Sequence, residues 1–435
     1  MSVAQQAAVR PGRARYLRIL LPICLTFFVT AIDRSNIAVA VPTIATDFQL
    51  STAVVGVVLS AFYWGYVPVQ LPGALFGQYV NAKWLITAAL ALWGLGTVLS
   101  GISTNLHELI AFRVVVGLSE GAAVPTLLVL IRRWFPLEER GRATSAFFVF
   151  GQAGNLVGTA ITGVLIAATS WKIMFFIEAV PAFVVAAIVA LWIADEPETD
   201  PRLGEAERRM LLESRAREAA ETGTHQTARW TTVVRSPVLW GFVVVWIMSS
   251  AGSYGLQSWV PTVVEEVTRI GIGNVGLLSA IPYVIAIVLL FSVGWASDRL
   301  HRRDVFIVAG FVLAGLAIFF GPGISDAVGK LVVIFLGAGC NAAITGIIIA
   351  WLEDLTPHSH VGIAIGLVQF FGQMAGIGAP LAVGFLAGTG PATDALWVIG
   401  AGLLLGAVVT VFIYLGARHR ARHAATVPVA AGRAA

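Results

Sequence analysis

Apolar residues run along this chain in long blocks nearly free of charge, instead of alternating with polar ones. A helix needs about 20 mostly apolar residues to cross about 30 Å of hydrocarbon. Twelve blocks have that length: 17–44, 52–79, 84–103, 106–131, 142–168, 172–193, 237–264, 273–297, 304–322, 330–352, 361–388 and 394–416. Pro68, Pro72, Pro125, Pro181, Pro282 and Pro380 fall inside blocks. They are compatible with spanning helices, because neighbouring helices can satisfy the freed backbone groups. The first block follows Arg10, Arg13, Arg15 and Arg18, is too long for a signal peptide, and has no small-residue cleavage site after a short apolar core. It reads as a permanent helix. The pattern predicts an all-α membrane protein with twelve transmembrane helices.

Composition removes the soluble alternatives. The 435 residues are 57% hydrophobic and 12% charged, with a mean hydropathy of +0.84; an ordinary soluble protein carries roughly 25% charged residues. Cys24 and Cys340 both sit in apolar blocks, which excludes a disulfide framework and a cysteine zinc site. The net charge of +4 has to be read by placement. Of 28 Lys and Arg, 23 fall on the segments that share a side with both termini, against three (Lys172, Arg269, Lys330) on the other side. Lysine and arginine bias sets orientation, so both termini are expected in the cytoplasm. The charge is then topology, and no nucleic-acid partner is implied.

Between the sixth and seventh blocks the composition changes. Residues 195–235 carry nine acidic and seven basic residues, and Leu203–Glu213 has amphipathic helical spacing. The expected organisation is an N-terminal cytoplasmic tail (1–16), a six-helix bundle (17–194), a charged cytoplasmic linker (195–235), a second six-helix bundle (236–417) and a C-terminal tail (418–435). A shift of 221 residues superposes Pro136 on Pro357, Gly141 on Gly362, Ala143 on Ala364, Phe150-Gly151-Gln152 on Phe371-Gly372-Gln373, Gly163 on Gly384 and Leu165 on Leu386. A gapless match joining helix 5 to helix 11 is what two parallel six-helix repeats predict.

Ionisable residues at membrane depth cost several kcal/mol each unless paired or hydrated, and mark function by default. Helix 1 carries Asp33-Arg34-Ser35-Asn36; helix 4 carries Arg113 and Glu120, seven residues and about two turns apart. Adjacent Asp33 and Arg34 diverge by about 100°, so they can address different neighbours. Two readings of these charges compete: mutual neutralisation that glues helices 1 and 4, and an anion clamp combined with a proton-accepting carboxylate. Burial of four charges is expensive for glue, which favours the second. Under the 221-residue shift Asp33 falls on Tyr254, Arg113 on Ile334 and Glu120 on Asn341; ionic machinery is expected only in the first half.

Other polar residues that point toward a cavity are Tyr66 and Gln70 in helix 2, Gln152 in helix 5, Tyr254 and Gln257 in helix 7, Asn341 in helix 10 and Gln373 in helix 11. Glu178, two turns into helix 6, reads as a structural hydrogen-bonded acid. No histidine sits in an HExxH spacing and no Walker loop occurs, so no metal or other cofactor and no ATP-driven step is expected.

The segment Gly294-Trp-Ala-Ser-Asp298-Arg299-Leu-His-Arg302-Arg303 resembles the loop between helices 8 and 9 of major facilitator superfamily transporters. There the Asp caps and charge-couples neighbouring helix ends, which implies that role for Asp298, Arg299 and Arg303. The corresponding first-half loop has Gln78, Tyr79 and Asn81 where the family has Asp, Arg and Gly. Within the superfamily, Asp33-Arg34-Ser-Asn36, Gly65-Tyr66…Gln70-Leu-Pro72-Gly73, Arg113…Gly117-Leu-Ser-Glu120-Gly121 and Trp134-Phe-Pro136…Glu139-Arg140-Gly141-Arg142-Ala143 resemble the anion:cation symporter family.

That resemblance implies the major facilitator fold of two pseudo-symmetric six-helix bundles. It implies that Arg34 binds a substrate carboxylate with Tyr66 and Gln152, that Asp33 and Glu120 are protonation sites, and that Arg113 tunes Glu120. Ala31 and Gln373 stand where sugar-acid members have Tyr and Asn, which points toward a less hydroxylated or aromatic acid. The expectation is a non-enzymatic secondary transporter in the bacterial inner membrane. It imports a small organic anion (a carboxylate of the sugar-acid or aromatic-acid class) with protons by alternating access, and works as a monomer. The alternatives are a proton-coupled exporter or drug antiporter of the same fold, and a membrane sensor. The first would favour an uncompensated acidic cavity; the second would need a signalling domain that the short termini do not hold.

Overall fold

The computed structural model describes residues 15–224, 230–357 and 360–426, with side chains for all of these except 74–78, 219, 221–224, 230 and 420–426. Among the described residues, twelve helices are long and apolar enough to cross a membrane, and the chain is a multi-pass membrane protein. Spans 1–6 are Tyr16–Phe48, Thr52–Tyr79, Ala82–Ile102, Leu106–Trp134, Leu137–Ala168 and Trp171–Trp192. Spans 7–12 are Pro237–Thr268, Ile272–Leu300, Arg303–Phe320, Ala327–Asp354, Val361–Ala387 and Trp397–Thr426.

The differences from the sequence reading have local causes. Span 1 begins with a π-helical turn, Tyr16–Leu20, and Arg15 ahead of it is anchored in protein, so the expected tail 1–16 already ends inside structure. Span 12 runs to Thr426, past the expected boundary at 417: Gly416 is accommodated within the helix, and neither Gly nor Pro occurs between 417 and 426. Residues 1–14 and 427–435 of the expected tails, and 225–229 of the linker, lie outside the described residues. Span 8 breaks between Ser279 and Ile281, just ahead of Pro282. Span 11 breaks between Gln373 and Ala375.

By contact the chain groups into two compact units. The first contains spans 1–6 together with Tyr254–Val284 and Gly376–Leu396; the second contains the rest of span 7, Ile285–Ala375 and span 12. The grouping therefore cuts through spans 7, 8 and 11. Glycine contacts inside the first unit explain this. A Cβ on Gly163 of span 5 would meet the backbone of Gly276 in span 8, and a Cβ on Gly384 of span 11 would meet the backbone of Gly56 in span 2. Small residues permit such close approach of helix backbones. Gly163 and Gly384 are repeat partners, so the repeat is expressed here as two equivalent helix crossings.

The linker forms a helix, Glu205–Thr224, whose charges dock on the ends of spans 1, 4 and 5. Arg15, with a fully buried side chain, bonds the Trp134 carbonyl (2.9 Å), Glu139 (2.7 Å) and Glu207 (3.1 Å). Arg18 pairs with Asp200 (2.8 Å), Arg133 with Asp195 (2.8 Å) and Arg140 with Glu218 (2.8 Å). Leu203 and Leu211 are buried beneath this layer.

The Arg140 side chain bonded to Glu218 holds that carboxyl below the usual carboxylate range. A group lowered in this way stabilises docking at pH values above the ordinary range, and that contribution is lost as pH falls through its own, lower midpoint. Both partners are partly exposed, so the effect is small, about 0–1 kcal/mol. Acidification is therefore expected to lower the protection factor, which corrects the exchange rate for its intrinsic pH dependence, in the second half of the linker helix, and Glu218→Gln to lower it at every pH. Identical exchange in the variant and the parent at neutral pH would show that the pair does no anchoring.

Candidate functional site

The charged residues of spans 1 and 4 meet inside the first unit, and they meet as two separate pairs. Arg113 donates from Nη2 to Asp33 Oδ2 (2.8 Å) and from Nη1 to Asn36 Oδ1 (3.0 Å). Asp33 Oδ1 also accepts from Thr97 Oγ1 of span 3 (2.9 Å) and from Asn36 Nδ2 (3.1 Å). Arg113 and Asp33 are 1% and 2% exposed. This half of the site is closed and nearly saturated with hydrogen bonds.

The second pair is more open. Arg34 Nε donates to Glu120 Oε2 at 2.9 Å, with the arginine side chain 16% exposed and the glutamate 1%. Arg34 lies over the ring of Tyr66 (4.7 Å) and near that of Phe62 (5.4 Å), a geometry that favours the cation electrostatically. Its Nη2 and Glu120 Oε1 are buried without a hydrogen-bond partner. An unpaired guanidinium donor in a buried setting is costly and is ready to bond an incoming oxygen anion.

The direct ion-pair partner of Glu120 is Arg34, and that of Arg113 is Asp33. The physical reason is helix rise. Seven residues separate Arg113 from Glu120 by about 10 Å along one helix, so they do not share a partner: adjacent Asp33 and Arg34 diverge by about 100° around span 1, and each long arginine side chain spans to its own acid. Gly117, midway between them, makes the approach possible: a Cβ there would meet the Phe62 carbonyl oxygen, and one on Gly121 would meet the Tyr66 carbonyl oxygen. The close seam between spans 2 and 4 brings the Phe62 and Tyr66 rings over Arg34.

A cavity of about 20 Å³ opens here, lined by Asp33, Arg34, Ile37, Ala38, Leu59, Phe62, Tyr63, Arg113, Gln257 and Ser258; that volume holds about one water molecule. The Tyr254 ring lies 5.1 Å from that of Tyr63, inclined to it by 52°. Gln257 donates to Asn155 Oδ1 (3.1 Å), and Asn155 donates weakly to Gln152 (3.4 Å), whose side chain is exposed. Gln70 is half-buried with its Oε1 unpartnered. The polar residues of spans 5 and 7 thus form a continuation of the site, floored by aromatic rings.

The family model described as Major Facilitator Superfamily matches residues 23–336 and 268–433. The chain belongs to this superfamily. Among its curated relatives, the D-galactonate transporter of Escherichia coli O6:H1 is 26% identical over 420 residues, covering 92% of this chain and 96% of that one. The chloroplastic ascorbate transporter of Arabidopsis thaliana is 23% identical, covering 90% and 73%. Among solved structures, a bacterial homologue of the human lysosomal transporter Spinster, inward-facing and unoccupied, superposes with a TM-score of 0.74 at 17% identity, covering 92% of this chain and 96% of that one. That likeness establishes the major facilitator fold.

In the second unit of this superfamily member, Asn341 is buried and saturated. It donates to the Ser249 carbonyl (3.0 Å) and Ser253 Oγ (3.0 Å) and accepts from Ser249 Oγ (3.3 Å). It ties span 10 to span 7, with no donor left for a ligand. Gln373 is half-buried at the break in span 11. Arg303 bonds Asp354 (2.6 Å) and the Ala350 carbonyl (2.5 Å) and lies 3.7 Å from Asp298, while Arg299 lies over the Trp295 ring. The loop motif thus ties spans 8 and 9 to the end of span 10. In the first-half loop, Asn81 caps span 3 through the Trp84 amide, and the side chain of Gln78 lies outside the described residues.

Two residues near the site were not singled out as functional by sequence. Tyr283, just after Pro282, bonds Thr159 and Gln257. Glu178 is 6% exposed and accepts a 2.6 Å bond from Thr162. The available signal for Glu178 was its type: a lone acid inside an otherwise apolar span.

Proposed function

We propose that this superfamily member imports a small organic anion together with protons by alternating access, as a monomer in the bacterial inner membrane with both termini in the cytoplasm. The observation that carries the reading is the Arg34–Glu120 pair. Arg34 is the more exposed partner, keeps a bare donor, and faces a lining that holds two guanidiniums, Arg34 and Arg113, against one carboxylate, Asp33. Such a lining suits an anion better than a cationic drug. Relatives named for D-galactonate and ascorbate, both organic anions, support the substrate class.

The coupling follows from charge. With Asp33, Glu120, Arg34 and Arg113 all ionised, the set is neutral. A carboxylate arriving at Arg34 competes with Glu120 for the same guanidinium and adds one negative charge. A proton on Glu120 removes that competition and restores neutrality, so anion and proton bind best together. Buried uncompensated charge is strongly unfavourable, which disfavours reorientation with only one of them bound. Phe62 and Tyr63 in the lining, with the Tyr66 ring against Arg34, favour an acid with a flat or weakly hydroxylated body.

Uptake into proteoliposomes tests this, with a panel of D-galactonate, ascorbate and benzoate and an imposed inward proton gradient. Glu120→Gln is expected to abolish gradient-driven accumulation while leaving anion exchange, and Arg34→Ala to abolish both. Uptake that ignores the gradient and the Glu120 substitution alike would overturn the reading.

A further inference from the structure

Inside the six-span bundle a third carboxyl lies beside the two ion pairs. Glu178 of span 6 is 6% exposed, and Oε1 accepts the Thr162 hydroxyl of span 5 at 2.6 Å. Its Oε2 is buried without a partner of ordinary geometry. The charged and amide groups facing it come from the other packed spans: Asp33 and the more loosely approaching Asn36 on span 1, and Arg113 on span 4. Spans 3 and 5 contribute the Thr97 and Thr162 hydroxyls, bonded to Asp33 and Glu178 respectively.

Two facts follow. Three buried carboxyls, Asp33, Glu120 and Glu178, share two guanidiniums, Arg34 and Arg113. Ionising all three leaves one uncompensated negative charge in a region without bulk water, which is the costly state. Arg34 is committed to Glu120, so Asp33 and Glu178 are left with Arg113 alone. The Asn36 amide stands between them. It accepts from Arg113 and spends one Nδ2 hydrogen on Asp33, and the second hydrogen remains for Glu178.

We propose that Glu178 is a further proton site, sharing one proton with Asp33 across Asn36 and Arg113, so that when one carboxyl is ionised the other is neutral. While Asp33 holds Arg113 and Thr97, Glu178 carries the proton. When Asp33 takes up a proton, Arg113 and Asn36 are released to an ionised Glu178. Span 6 thereby joins spans 1 and 4 in the coupling. This last step rests on the proton-coupled transport reading; the shared proton itself does not.

Infrared difference spectroscopy on the purified, reconstituted full chain tests the proposal without any substrate or gradient. The wild type is expected to show a protonated-carboxyl C=O band at neutral pH that is absent from Glu178→Gln. Asp33→Asn is expected to abolish the same band at neutral pH, because Arg113 is then free and Glu178 ionises. A glutamic acid with a purely structural role would keep its band in Asp33→Asn, and that result overturns the proposal, as does a wild-type spectrum unchanged by Glu178→Gln. If Glu178→Gln does not fold, Thr162→Val identifies the band by shifting its frequency through loss of the hydroxyl donor. An unshifted band in Thr162→Val also counts against it.

Discussion

Replacing Arg113 with methionine is expected to lower the stability of the protein by about 3–5 kcal/mol, because it strands Asp33 as an uncompensated buried charge. In detergent this corresponds to a drop in unfolding temperature of about 3–5 °C for a chain of this length. The lost interactions are specific: 2.8 Å to Asp33, 3.0 Å to Asn36, and a cation stacked near the Phe175 ring at 5.6 Å. Methionine keeps much of the volume and none of the charge. If charge is the cause, Asp33→Asn combined with Arg113→Met recovers most of the loss, since residues in one network couple strongly. A double variant as unstable as the single one would show instead that packing around the guanidinium stem matters more than its charge. Because Arg34 and Glu120 form a separate pair, Glu120→Gln is expected to leave the unfolding temperature much closer to that of the parent.

The second large effect concerns a residue with no side chain. Gly117→Val is expected to abolish recovery of monodisperse protein. Any Cβ at this position meets the Phe62 carbonyl oxygen, and further contacts follow to the Phe62 carbonyl carbon (2.9 Å) and the Tyr66 amide nitrogen (3.0 Å). These are backbone atoms of a neighbouring span and cannot rotate away. Overpacking a well-filled interior typically costs about 1–3 kcal/mol when side chains can adjust; with backbone on both sides the seam between spans 2 and 4 has to open. Opening it would carry Tyr66 off Arg34. Gly362→Ala is the control, since a Cβ there meets nothing within 4 Å. That change is expected to be neutral or to stabilise by up to about 1 kcal/mol through helix propensity. Size-exclusion profiles of the two variants separate a specific close approach from a general intolerance of glycine replacement.

The repeat illustrates how much the sequence carried. Gly141 and Gly362 match under the 221-residue shift, and both face open space. Gly163 and Gly384 match as well, and each lies against the backbone of another span within the same compact unit. Nothing in the one-dimensional pattern distinguishes these pairs, because a glycine selected for contact and one merely tolerated look alike. Tyr66 and Asn341 make the same point for polar residues. Both were read as facing a cavity; Tyr66 lies under Arg34, whereas Asn341 spends its amide on Ser249 and Ser253.

By itself the sequence determined the membrane class, the number and approximate limits of the spans, the charged linker, and the identity of the four ionisable residues at depth in the first half. Those properties follow from the energetics of single helices in hydrocarbon, where length, apolarity and the cost of a buried charge can be read residue by residue. The tertiary structure decided which acid belongs to which arginine, that spans 2 and 4 touch through backbone at Gly117, and that Glu178 stands beside Asn36. These depend on how far each helix is rotated and how closely it approaches its neighbours, and the periodicity of one helix holds no information about either.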